Sequence, residues 1–177
     1  MRKFSILLLA IITIFSCQKD NPDLDAMTTI NFLLTSDDRS DAVLFTYHDL
    51  DGPDGPMQGF VTDAVMKPGL SYTGGISILN ARTEPTTEVN DLINANPEDY
   101  RIYFEVAPTD GAVIEITDED SNGMPIGLTT RLHTADTEGD YSLRIRVVRS
   151  PDKSAPTAEQ AGGEVAIEGV FKMYLRR

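Results

Sequence analysis

From Thr28 onward, apolar and polar positions alternate in short runs, each broken by Gly, Pro, Asp or Asn. A period of two marks a strand that buries one face. Thr29 to Thr35 predicts the first strand, closed by the acidic turn Ser36 to Asp41. Ala42 to His48 predicts the second, with Val43, Phe45 and Tyr47 on one face and Ala42, Leu44, Thr46 and His48 on the other. Beyond the loop Asp49 to Met57, Gly59 to Met66 predicts a third, and Lys67-Pro68-Gly69 turns the chain into Ser71 to Asn80, with Tyr72, Ile76 and Ile78 facing inward. Gly74-Gly75 inside that run predicts a bulge or a close backbone approach.

Thr83 to Pro97 interrupts the pattern. Thr86 or Thr87 can cap a helix, and Val89, Leu92 and Ile93 follow helical spacing, so one or two turns are expected before Pro97. Strands resume over Tyr100 to Ala107, Ala112 to Thr117 and Ile126 to Thr134. Tyr141 to Arg149 (YSLRIRVVR) alternates apolar with basic residues, as in a strand with one wet face. Ser150 to Gly163 reads as a loose segment, and Glu164 to Leu175 supplies the last strand. Eight or nine short strands with turn signals about every 8–12 residues predict an all-β fold: an antiparallel β-sandwich of immunoglobulin-like architecture, with one short helix in a connection. An α/β fold would need long amphipathic helices between strands. Without tryptophan, and with Cys17 as the one cysteine, the likeness to immunoglobulin domains is architectural only.

The N-terminus follows a different rule. Arg2 and Lys3 precede the apolar run Phe4 to Phe15, too short for the roughly 20 residues of a spanning helix. A charged start, an apolar stretch and a small residue describe a secretory signal. Ile14-Phe15-Ser16-Cys17 resembles the bacterial lipobox, with Ile14 at its aliphatic position, Ser16 at its small one, and Phe15 bulkier than is usual there. This predicts a signal peptide over 1–16, a lipidated Cys17 with a flexible tether over 17–26, and a single sandwich domain over 27–177. The domain then has no thiol for a disulfide or a zinc site. Each buried methylene of an acyl chain adds about 0.8 kcal/mol, so several chains make a durable anchor.

Charge narrows the classes of partner. The chain carries 15 Lys/Arg against 28 Asp/Glu, a net charge of −13. Loss of Met1 to Ser16 removes Arg2 and Lys3 and no acid, leaving 13 against 28 and a charge of −15. Such a surface repels nucleic acid and anionic lipid and favours cations or basic partners.

Two loops concentrate the acids. In Asp118-Glu119-Asp120-Ser121-Asn122-Gly123, the residues Asp118, Asp120 and Asn122 alternate before a glycine, the first half of a Ca²⁺-loop pattern. Alternating carboxylates at a sharp turn can converge on an ion that takes 6–8 oxygen ligands. The twelfth position is Thr129 where an EF-hand needs Glu, and the flanks read as strands, so an EF-hand is excluded. Asp49, Asp51 and Asp54 are spaced around glycines in the second loop. Each loop also suits a solvated turn, since turns select Asp, Asn and Gly. His48 and His133 could hold a haem or another metal. Glu84, Glu88 and Asp91 could supply paired carboxylates for a glycosidase, although a solvated face is the simpler reading. The chain has no G-x-S-x-G, H-E-x-x-H, G-x-x-x-x-G-K-[ST] or G-x-G-x-x-G motif, and catalysis has no positive sign.

Three stretches, Tyr47 to Gly55, Tyr72 to Asn80 and Ile116 to Leu128, together with the N-terminal signal, resemble a group of small uncharacterised lipoproteins from Bacteroidetes. Relatives have Thr-Tyr-x-Gly before an alternating strand ending in Leu-Asn; this chain departs from them in the milder acidity of Glu88 to Asp91. Cys17-Gln18-Lys19-Asp20 resembles the acidic export signal of such lipoproteins. The resemblance implies attachment to the outer membrane, on its periplasmic or surface face, and a setting beside an outer-membrane transporter such as a TonB-dependent receptor. Relatives sometimes carry the labels type 1 periplasmic-binding fold protein or GTP cyclohydrolase. The first is a far longer α/β protein and the second needs Cys and His ligands, so the residues here support neither. The expected function is that of an anchored, non-catalytic binding or accessory module, with a Ca²⁺-binding or metal-complex-binding lipoprotein as the alternative.

Overall fold

A strand with one apolar face must bury it against another such face, and two sheets stacked about 10 Å apart satisfy both. The computed structural model describes residues 27–51 and 59–177. Its strands in chain order are β1 (Thr29–Ser36), β2 (Ala42–His48), β3 (Phe60–Thr62), β4 (Ala64–Met66), β5 (Ser71–Asn80), β6 (Thr87–Glu88), β7 (Tyr100–Ala107), β8 (Ala112–Ile116), β9 (Thr129–Thr134), β10 (Gly139–Arg149) and β11 (Glu164–Leu175). The larger sheet runs β3-β2-β1-β5-β9-β8, with β6 also on β5, and the smaller runs β4-β11-β10-β7. The chain is an all-β sandwich. Its pairs are antiparallel except β4–β11, which is parallel.

The inward residues of the two sheets meet in one core. Phe32 of β1 stacks on Phe45 of β2 at 6.4 Å and tilts against Phe104 of β7 at 5.5 Å, while Phe45 meets Phe171 of β11 edge-on at 5.4 Å. These contacts bridge the sheets, and Ile30, Leu34, Ile78, Ile102, Leu143 and Ile145 fill the space around them without exposure. Each such side chain contributes about 1.5–3 kcal/mol on burial.

Departures from the sequence pattern have local causes. Gly59 to Met66 is two strands, because the chain turns a corner at Asp63 and passes from the larger sheet to the smaller. Asp63 Oδ1 accepts the Lys172 N–H at 3.0 Å and pins that corner to β11. Gly74 makes a close approach without a bulge: the β1–β5 register is continuous, and a Cβ there would lie 2.7 Å from the Phe32 ring. Ile126 to Leu128 crosses between the sheets instead of opening β9. Ile102 N–H donates to the Ile126 carbonyl at 2.7 Å, and Ile76 N–H to that of Leu128 at 2.9 Å. Gly127, at φ +102°, fits there because a Cβ would strike Ile102 at 2.8 Å.

Helix α1 (Asn90–Ala95) starts later than the threonines suggest, since Thr87 joins β6 and Val89 is the uncapped N-cap residue. Asn90 instead docks the helix on β5, its Oδ1 accepting Ile78 N–H at 2.8 Å and its Nδ2 donating to Ile76 O at 2.7 Å. The segment after Ser150 is ordered rather than loose: it holds a second helix, α2 (Ala158–Ala161). Ala155, Ala158 and Ala161 pack on Tyr103 and Val148, forming a small second core over the outer face of the smaller sheet.

Candidate functional site

The acidic loop between β8 and β9 is held by its own hydrogen bonds. Asp118 Oδ1 and Oδ2 accept the N–H groups of Gly127 and Leu128, each at 2.9 Å. Asp120 Oδ1 accepts those of Asn122 and Met124, both at 2.9 Å. Its Oδ2 receives the Lys153 ammonium at 2.7 Å, and Lys153 also donates to the Pro97 carbonyl at 2.8 Å. That ammonium holds the Asp120 carboxyl below its usual range, with the two loop N–H bonds adding to the effect. Lysine therefore supplies the cation at this turn. Asn122 is exposed.

In the other loop Asp49 is buried; it accepts the Tyr47 hydroxyl at 2.9 Å and the Asp51 N–H at 3.3 Å. Burial, then this hydrogen bond, pushes the Tyr47 phenol up to about 12. Asp54 lies outside the described residues, as do the signal, Cys17 and the tether. Among the described residues, no three His, Cys, Asp or Glu side chains are grouped to hold a metal ion.

The histidines stand apart. His48 lies opposite Thr29, which pairs with Leu79 of β5, whereas His133 pairs with Ser71 at the other end of that strand. Eight residues of strand separate the two levels, roughly 27 Å at about 3.4 Å each. They cannot share one metal. His48 Nδ1 is 2.6 Å from Thr29 Oγ1, and His133 Nδ1 is 3.0 Å from Ser71 Oγ. Glu84, Glu88 and Asp91 are exposed on the connection and the first turn of α1.

The outer faces of the two sheets differ. On the smaller sheet, Arg146 is buried among Glu105, Glu159 and Glu168, and Arg101 bonds the carbonyls of Lys153 and Ala155, fastening the segment that carries α2. On the larger sheet the outer face carries Thr and Ser together with His48, Arg131 and His133 around the register pair Leu33 and Leu44, which are 52% and 49% exposed.

The sandwich is also open along one side. On the opposite side the terminal strands β3 and β4 are joined through the corner at Asp63, whereas β7 and β8, the terminal strands on this side, have no further strand partner among the described residues. Thr117 N–H donates to Thr129 O, and Ala135 N–H to Gly111 O, which sets the β8–β9 parity. Val113 and Glu115 therefore bond to β9, while the backbone groups of Ala112, Ile114 and Ile116 point away from the sheet. The same reasoning from Ile102, bonded to Ile126, places those of Phe104 and Val106 on the free edge of β7. Between these edges lies an open gap of about 130 Å³, lined by Phe104, Val106, Thr109, Ala112 and Ile114. From Ile102 to Thr130 the chain has six acids and no Lys, Arg or His; Glu105 and Asp120 are paired with Arg146 and Lys153, and Asp110 and Glu115 are exposed beside the gap. Val113 of β8 is 62% exposed.

Proteins usually blunt such an edge with charge, proline, a bulge or a cover. β8 (AVIEI) has one acid and none of the other devices. Comparison with protein-family models, with curated proteins and with solved structures finds no match.

Sequence reasoning placed acids in the loop after β8 but did not find its cation, because Lys153 lies 33 positions away in a segment without periodicity. The free edge follows from pairing between distant segments, which the residues of β8 do not announce.

Proposed function

We propose that the chain is a lipid-anchored, non-catalytic accessory module of the bacterial cell envelope, held to the outer membrane through Cys17. It engages another envelope protein, such as a TonB-dependent receptor, along the open side of the sandwich. The observation that carries this reading is the β8 edge, unpaired among the described residues, beside a gap lined by Phe104, Val106, Ala112 and Ile114, in a domain whose other two edge strands, β3 and β4, are joined through Asp63. Among the described residues no helix is long and apolar enough to cross a membrane, and a tether at Cys17 supplies attachment without one. The pairing of Asp120 with Lys153 and the backbone bonds of Asp118 work against the calcium alternative at that loop.

Two arms test the reading. The full chain should fractionate with membranes and Cys17→Ala should release it; a full chain that stays soluble would end the anchoring claim. The soluble Cys17→Ala form, used as bait on outer-membrane extract, should retain one integral outer-membrane protein in stoichiometric amount. Ile114→Pro at the β8 edge should lose that protein, and Leu44→Lys on the far face should keep it. The reverse pattern would move the binding surface to the outer face of the larger sheet.

A further inference from the structure

Resting on that reading, we infer that the open side binds by strand addition, and that its occupant is an extended segment of a partner protein in which apolar residues alternate with basic ones. Main-chain hydrogen bonds to a free edge give affinity, and alternate side chains give specificity, in this mode of recognition. Ala112, Ile114 and Ile116 offer their N–H and carbonyl groups on one edge, spaced two residues apart as an added strand requires.

An added strand also has two faces. Its inward side chains enter the gap beside the apolar side chains of Phe104, Val106 and Ile114. Its outward side chains stand beside Glu115 and near Asp110, both exposed. With no basic residue from Ile102 to Thr130, the rim offers no counter-charge of its own. Arg131, the nearest base in register with Glu115, is ion-paired to Asp37. Apolar inward and basic outward is the pattern that complements both faces. A second copy of this chain fits less well, because two β8 edges would bring together two rims that each expose Asp110 and Glu115, and like charges repel.

The test uses the soluble Cys17→Ala chain and a short synthetic peptide that alternates valine with lysine. One control replaces lysine by glutamate and another scrambles the order. Amide exchange by NMR reads the geometry. Saturating lysine peptide should slow exchange at Ala112, Ile114 and Ile116 by about tenfold or more, with little change at Val113 and Glu115, which are already bonded to β9. That alternation separates strand addition from diffuse attraction to an acidic surface. Ile114→Pro removes one edge donor and leaves the β8–β9 ladder intact, because its N–H is not part of that ladder. It should weaken binding by about tenfold. Glu115→Lys tests the charge requirement without touching the backbone: it should weaken the lysine peptide and admit the glutamate peptide.

Equal binding of the scrambled peptide, uniform protection along β8, or no binding would overturn strand addition by this class of segment. Protection of the three amides in the free chain, rising with its concentration, would assign the edge to a second copy instead. If the membrane protein is still captured through β8 while the peptide fails, the inference falls and the proposed function stands. If the capture fails as well, both fall.

Discussion

The Lys153 ammonium lies 2.7 Å from Asp120 Oδ2, with the two side chains 7% and 1% exposed. It joins the loop after β8 to the segment that carries α2, so two irregular stretches are fixed by one charge pair. Removing one partner leaves the other charge buried and uncompensated, which is strongly destabilising, whereas replacing both by apolar groups is often near neutral. Asp120→Leu and Lys153→Met should each lower Tm, and the double variant should recover much of the loss.

The pair also sets an acid dependence. The Asp120 carboxyl is held below its usual range, first by the Lys153 hydrogen bond. A group with a depressed native pKa binds fewer protons folded than unfolded, so its contribution is present above the unfolded carboxylate value of about 3.9 and is lost as pH falls through the native one. In urea titrations the wild type should lose stability more steeply than Asp120→Asn over that window. Parallel slopes would show that the pair does not couple to folding.

Gly74 and Gly75 are adjacent on β5 and should respond in opposite directions. A Cβ at Gly74 would lie 2.4 Å from Thr130 Oγ1, 2.7 Å from Phe32 and 2.9 Å from Leu34, all inside the core. Overpacking of this kind costs about 1–3 kcal/mol. A Cβ at Gly75 meets nothing within 4 Å, and removing the freedom of an unfolded glycine adds about 0.4–1 kcal/mol. Gly74→Ala should therefore melt lower than the wild type and Gly75→Ala higher, by thermal denaturation.

Those glycines show what the sequence could and could not convey. The run Ser71 to Asn80 announced a strand with Tyr72, Ile76 and Ile78 inward, and its bounds and inward face are those observed. Two-residue periodicity is a local property, so β2, β7 and β11 were equally legible. Which strands become sheet edges depends on pairing between distant segments and has no local signature. The break at Asp63 was hidden for that reason, because Gly59 to Met66 keeps an apolar character across a change of sheet. Arg146 was read as lying on a wet face, yet it is buried among carboxylates because α2 folds back over β10. In the sequence Asp118 and Asp120 are candidate metal ligands beside the alternative of a solvated turn; their oxygens accept backbone N–H groups and a lysine from elsewhere in the chain.

Calcium should leave the melting temperature unchanged, as should EDTA. An ion at Asp118 and Asp120 would compete with two N–H donors on one carboxylate and with a neighbouring ammonium on the other. A ligand at 100 times its Kd stabilises by about 2.7 kcal/mol, which a melting curve resolves easily. A clear rise in Tm with millimolar Ca²⁺, abolished by Asp51→Asn, would assign the ion to the loop that begins at Asp49.

Four tyrosines make the domain sensitive to alkali. Tyr72 is buried with its hydroxyl donating to Asp41 Oδ2 at 2.6 Å, and burial followed by that carboxylate raises its pKa well above the ordinary phenol value. Tyr47 is pushed up to about 12 by burial and Asp49, and burial likewise raises Tyr100 and Tyr103. A phenol with a raised native pKa stays protonated when folded but ionises near pH 10 when unfolded. The folded state then holds more protons, so the stabilisation is complete below about pH 10 and falls as pH rises further. Tm should drop progressively from pH 10 upward, and Tyr72→Phe should flatten part of that decline while costing about 0.5–1.5 kcal/mol at neutral pH through the lost hydrogen bond. Phenolate absorbance from these four residues should appear together with unfolding. Their full ionisation in a chain that keeps its β-sheet circular dichroism would contradict the burial on which the prediction stands.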